Sequence, residues 1–136
     1  DIHAEKDSMF NTPPVFPIYM LGKILKWMDA RGGLETIEAE AEAKAAILYS
    51  VIDSSDGYFH CPVDKGSRSV MNVVFRLTSE ELEKRFLDES ESAELLNLKG
   101  HRSVGGCRAS IYNAMPREGA QALADFMIDF RERHPV

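Results

Sequence analysis

The stretch "SVMNVVFRLTSEELEKRFL", residues 69–87, decides what kind of fold this chain adopts. In its first half Met71, Val73, Phe75 and Leu77 fall at every second position, with Val70, Asn72, Val74 and Arg76 between them. A period of two is that of a strand with one buried face, and β-branched residues suit its pleat. The period then changes. Thr78 and Glu81 are spaced as a capping box, and Leu82, Phe86 and Leu87 follow at helical intervals, which predicts a helix through about Ala93. A strand that feeds an amphipathic helix implies a sheet with helices packed against it.

Upstream, "DSSDGYFHCPVDKGSRS", residues 53–69, is a turn-rich connector with one short strand expected around Tyr58–Cys61. Before it, Leu34, Ile37, Ala41, Leu48, Val51 and Ile52 mark an amphipathic helix whose outer face, Glu35, Glu38, Glu42 and Lys44, reads as solvated. "RGG" at 31–33 supplies the stop of an earlier helix, predicted from Pro14 to Ala30. In that helix Ile18, Leu21, Ile24, Leu25 and Met28 recur at helical spacing, while Met20 and Trp27 add apolar bulk on other faces. Such a helix expects cover on most sides, more than this chain contains. The opening "DIHAEKDSMFNTPP" has no apolar period and reads as a loop.

Downstream, "LLNLKG" at 95–100 and "CRASIYN" at 107–113 are expected strands. "PREGAQALADFMIDFRERH", residues 116–134, is the closing helix, with Ala120, Leu123, Met127 and Phe130 on one stripe and Pro116 in its first turn. The predicted fold class is α/β of the α+β type, a two-layer sandwich whose small, mostly antiparallel or mixed sheet carries helices on one face.

Composition bounds the function. At 136 residues, 44% apolar and 28% charged, the chain has the make-up of one ordinary globular domain. A net charge of −6 argues against a nucleic-acid module, which carries a basic stripe. "VFPIYML" is far short of the roughly 20 apolar residues a membrane span needs, and no stretch reads as a secretory leader, so a cytoplasmic protein is expected. Cys61 and Cys107 show no CxxC spacing and the four histidines no HxxxH pair, so no metal site is expected and the thiols read as buried and reduced.

Chemistry concentrates in "GHRSVGGCRASIYNAMP", residues 100–116. Glycines at 100, 105 and 106 allow close approach of a ligand to the backbone. Arg108 stands where loop becomes strand, suited to offer a planar fork to a carboxylate, with Ser110 and Tyr112 on the same face. His101 and Arg102 suit a second anion. Such residues in a turn are more often solvated than ligand-binding, and both readings stay open on this stretch alone. In "NTPP", residues 11–14, Thr12 reads as an N-cap with Pro13 at the first helical position; alternatively Asn11, Thr12 and the helix N-terminus receive a phosphate. No nucleophile-plus-base arrangement is visible.

Three blocks, "SMFNTPPVFPIYMLGKILKWMDARGG", "RSVMNVVFRL" and "GHRSVGGCRASIYNAMP", together resemble the C-terminal part of the phosphoserine aminotransferase family, pyridoxal-phosphate enzymes of the aspartate-aminotransferase fold (fold type I, class V). The resemblance covers essentially the whole chain. It implies transfer of the amino group of glutamate to 3-phosphohydroxypyruvate, giving O-phosphoserine and 2-oxoglutarate in serine biosynthesis, with a related step in pyridoxine synthesis. It implies that Arg108 grips the substrate α-carboxylate, that His101 and Arg102 lie by the distal phosphate or carboxylate, and that Asn11 and Thr12 reach the cofactor phosphate of the other subunit of a homodimer. It further implies that residues 1–32 belong to a large cofactor domain and 33–136 to a small substrate-binding domain. The family's Schiff-base lysine has no counterpart among Lys6, Lys23, Lys26, Lys44, Lys65, Lys84 and Lys99, so these residues alone are expected to be inactive. The alternative is a stand-alone module that binds a small anion and regulates another protein.

Overall fold

The structure is a computed structural model describing residues 1–136. It divides into two compact units, Asp1–Ile37 and Glu38–Val136.

The first unit opens on a single helical turn, α1 (Ile2–Glu5), where a loop was expected; the amides of Ala4 and Glu5 close it on the Asp1 carbonyl at 2.9 and 3.1 Å. Helix α2 runs Val15–Ala30 and ends before Gly32, whose φ is +100°. Its N-cap is Pro14 and no side chain caps it, which corrects the reading of Thr12 as the cap. Consecutive prolines explain the shift: Pro13 itself precedes Pro14 and is disfavoured in the helical region, so it cannot serve as the first helical residue that a Thr12 cap requires. No residue of α2 is buried: Phe16, Ile18, Leu21, Ile24 and Leu25 are all exposed.

Helix α3 (Gly33–Asp53) contains the boundary between the units. The second unit continues with β1 (Phe59–His60), a 3-10 turn at Lys65–Ser67, β2 (Asn72–Leu77), α4 (Glu80–Ser92), β3 (Cys107–Ser110) and α5 (Arg117–Arg133). The strands form one antiparallel sheet in the order β1-β2-β3, with Phe59 opposite Leu77 and Phe75 opposite Cys107. Of the strand expected at 95–100 only a bridge between Lys99 and Cys107 forms. Proline 116 stands one place before the first helical residue of α5, at its N-cap.

The alternation read from residues 70–77 is the alternation of burial. Val73, Phe75 and Leu77 are buried, as are Cys107 and Ala109 across the ladder. They pack with Ala45, Leu48, Val51 and Ile52 of α3, Phe86 of α4, and Ala120, Leu123, Met127 and Phe130 of α5. Phe86 is the hub, making edge-on ring contacts with Phe59, Phe75, Phe126 and Phe130 at centroid distances of 5.1 to 6.0 Å. Helices therefore cover one sheet face. On the other face Asn72, Val74, Arg76, Arg108 and Ser110 remain half-buried.

Two further expectations are corrected. The cap of α4 is Ser79, whose hydroxyl accepts the Leu82 amide at 3.2 Å, and not Thr78. Pairing of β2 extends through Leu77, which leaves Thr78 to make the turn. The Lys44 side chain is not on a solvated face: it is buried, and its ammonium donates to the Tyr112 and Met115 carbonyls at 2.7 and 3.0 Å. Lys44 borders the buried stripe of Ala41, Ala45 and Leu48, and its long stem carries the charge past them. Both thiols are free and buried, and burial pushes that of Cys107 up to about 12.

Candidate functional site

The loop that carries His101 and Arg102 is pinched at its base. The Gly100 amide donates to the Gly106 carbonyl at 2.8 Å, and the amides of Val104 and Gly105 turn back to the His101 carbonyl at 2.9 and 2.8 Å. A Cβ on Gly100 would stand 2.1 Å from the Gly105 carbonyl oxygen, so any side chain there would force the base apart. At Gly106, φ is +69° and a Cβ would lie 3.0 Å from the Phe75 carbonyl oxygen; the loop rejoins the sheet too closely for another residue.

Arg108 follows at once, opposite Val74 on the sheet face that the helices leave open. Its backbone is doubly fixed, by the β2 ladder and by its amide's bond to the Leu98 carbonyl at 2.7 Å. The side chain makes no ion pair, and its Nε is buried without a hydrogen-bond partner. A buried cationic donor left unpaired is costly, which makes it a candidate to meet an anion. Beside it the hydroxyls of Ser110 and Tyr112 both donate to Asn72 Oδ1, at 3.2 and 3.4 Å, so these polar groups hold one another.

Arg108, His101, Gly100, Val104, Gly105 and Arg76 line one recess of about 200 Å³. Two of the expected residues, Arg108 and His101, thus come together. Arg102 does not line that recess; it is exposed on the loop without a side-chain partner. His101 Nδ1 lies 2.7 Å from the Ser103 hydroxyl and accepts the Ser103 amide at 3.3 Å. Asn11 and Thr12 lie in the other compact unit, both exposed and without hydrogen-bond partners. Arg76 was missed by sequence reasoning. Its place on the polar face of β2 was visible, but only the pairing of Phe75 with Cys107 sets it beneath the loop.

Residues 2–123 match the class-V aminotransferase family. The chain belongs to that family. It is 59% identical over 133 residues to phosphoserine aminotransferase of Laribacter hongkongensis, covering 98% of this chain and 37% of that protein. It is 51% identical over 133 residues to phosphoserine aminotransferase 2, chloroplastic, of Arabidopsis thaliana, covering 98% and 32%. Among solved structures, phosphoserine aminotransferase from Bacillus circulans subsp. alkalophilus superposes with a TM-score of 0.89 at 51% identity, over 97% of this chain and 37% of that one. The pyridoxal-phosphate-bound enzyme of Trichomonas vaginalis gives 0.82 at 38% identity, over 93% and 36%. The chain therefore spans about a third of the length of these relatives.

The lysines of this class-V chain do not fit covalent attachment of pyridoxal phosphate. A Schiff-base lysine needs a free, desolvated amine. Lys44, the one buried lysine, is committed to two carbonyls, and the other six are exposed. No helix is long and apolar enough to cross a membrane.

Proposed function

We propose that these residues serve a phosphoserine aminotransferase, which exchanges the amino group between glutamate and 3-phosphohydroxypyruvate in serine biosynthesis, and in bacteria a related phosphorylated substrate in pyridoxine synthesis. One observation carries the reading: an unpaired guanidinium with a buried Nε, on a rigid strand, stands beside a glycine-necked loop bearing His101 and Arg102. Arg108 grips the α-carboxylate by its planar fork, and His101 and Arg102 meet the phosphate or distal carboxylate. Two anchors at opposite ends of a short dianion fix the amino-bearing carbon between them, and such fixing is the protein's main contribution when a cofactor does the chemistry. Pyridoxal phosphate supplies the electron sink, bound by a lysine outside residues 1–136. Asn11 and Thr12 contact the cofactor phosphate across a homodimer, residues 1–32 belonging to the cofactor domain and 33–136 to the substrate domain, in the cytoplasm.

The test uses the full-length enzyme. Arg108→Ala should lower kcat/KM by about 2 to 4 kcal/mol for phosphoserine and for glutamate alike, because the α-carboxylate is common to both. Unchanged kinetics for both substrates would make Arg108 a bystander. The 136-residue chain, mixed with pyridoxal phosphate and glutamate, should leave the cofactor spectrum changing no faster than free cofactor does.

A further inference from the structure

Arg76 has no part in the clamp just described, yet its side chain lies directly beneath the loop that carries half of it. One arm of its guanidinium, Nη2, donates to the Val104 carbonyl, the last carbonyl of the turn that begins at His101. The other arm, Nη1, faces Glu83 Oε1 at 3.8 Å. Glu83 is itself fixed, its side chain only 12% exposed and the same oxygen accepting the Leu77 amide at 3.2 Å. The glycines of the loop complete the fit: a Cβ at Gly105 would meet Nη2 at 3.5 Å, and one at Gly106 would meet Arg76 Cγ at 3.1 Å. Arg76 thus forms the floor of the recess that His101 and Arg108 line, and joins the first turn of α4 to the backbone of the loop.

We infer that Arg76 is the positioning residue for the His101–Arg102 loop, fixing where that loop presents its groups to the phosphate or distal carboxylate of the substrate. The inference rests on the aminotransferase reading above. The physical reason is pre-organisation: the turn's internal bonds all close on His101, at its carbonyl and its Nδ1, so above the Gly100–Gly106 neck its orientation over the sheet depends on a contact from outside it. A charge-assisted bond to Val104 from a side chain held at its other end by Glu83 supplies that contact. Arg76 touches no substrate in this scheme; it acts through the loop.

The test compares wild type, Arg76→Met, Arg76→Lys, Arg102→Ala and the Arg76→Met/Arg102→Ala pair in the full-length enzyme with phosphoserine and 2-oxoglutarate. Arg76→Met should raise KM for phosphoserine about tenfold with kcat within about twofold, and Arg76→Lys should recover part of the loss. The double variant should sit within about twofold of Arg102→Ala alone, because both changes remove the same contribution. Independently of activity, amide exchange of residues 101–106 should quicken in Arg76→Met while exchange in α5 stays as in wild type. A wild-type KM in Arg76→Met, fully multiplicative effects in the pair, or unchanged exchange of the loop would overturn the inference. A wild-type enzyme that does not use phosphoserine would instead overturn the reading it rests on.

Discussion

Helices α2 and α5 have almost the same length, 16 and 17 residues, and meet opposite surroundings. Helix α5 confines its apolar residues to one stripe, and Ala120, Leu123, Ala124, Met127 and Phe130 are all buried on it, with Arg131 and Arg133 in its last turn. Helix α2 spreads Phe16, Ile18, Tyr19, Met20, Leu21, Ile24, Leu25 and Trp27 around its circumference and buries none of them. A stripe needs one neighbour; a helix apolar all round needs several. The contrast teaches that apolar content reports the contacts a helix is built for, whereas burial within this chain reports only those it has found here.

That contrast can be broken or sharpened by substitution in the 136-residue chain. Phe86→Ala, at the hub of the ring cluster, should cost about 3 to 5 kcal/mol of unfolding free energy in urea titrations followed by circular dichroism. A loss below 1 kcal/mol would mean that the second unit has no tight core. Lys44→Met keeps the stem and deletes the ammonium, leaving the Met115 carbonyl without its donor and the Tyr112 carbonyl with the Met115 amide alone, and should cost about 2 to 4 kcal/mol. Equal stability would show those carbonyls satisfied by water.

A smaller effect is expected at the end of α3. Asp53 takes a two-pronged bond from Arg68 at 2.9 and 2.8 Å, and Lys65 lies 3.1 Å away. The Arg68 bond, ahead of Lys65, lowers its carboxyl from 3.8 to about 2. A lowered carboxyl stabilises the folded chain above its unfolded value and loses that contribution as pH falls through its folded one. The pair is a third exposed on the Asp53 side, so Asp53→Asn should cost at most about 1 kcal/mol at neutral pH. The difference from wild type should fade as pH drops from 3.8 to about 2, and a difference that persists below that window would rule out the ion pair as its source. Smallest of all, Leu21→Ala on α2 should change stability by less than about 0.5 kcal/mol, since its side chain is 55% exposed here. A core-sized loss would reveal packing around α2 that the contrast denies.

What could be read in the sequence was periodic and local. The two faces of β2, the stripe of α5 and the strand position of Arg108 follow from counting by two or by 3.6. Element ends were misplaced by small steps where two residues compete for one role, as Thr78 and Ser79 do for the cap of α4, or where proline chemistry overrides a capping side chain, as at Thr12. The contacts that organise the site were hidden, because they join distant positions. Lys44 bonds to a turn 68 and 71 residues away, and Arg76 to a carbonyl 28 residues on. Arg108 was recognisable as a cation at a strand edge, but that its Nε would be buried and unpaired required the neighbours from 94–98 and β2 to be in place.

The pinched base of the loop has one more consequence. With Gly100 bonded to Gly106 and Arg76 holding a main-chain carbonyl, everything that anchors residues 101–105 is backbone-directed on the loop's side. Every residue type supplies that carbonyl at position 104. Residues 101–104 therefore sit as a replaceable segment in a fixed socket, Gly105 excepted because its φ is +75° and a Cβ there would meet Arg76: their side chains can change while β2, β3 and the phenylalanine cluster keep their places.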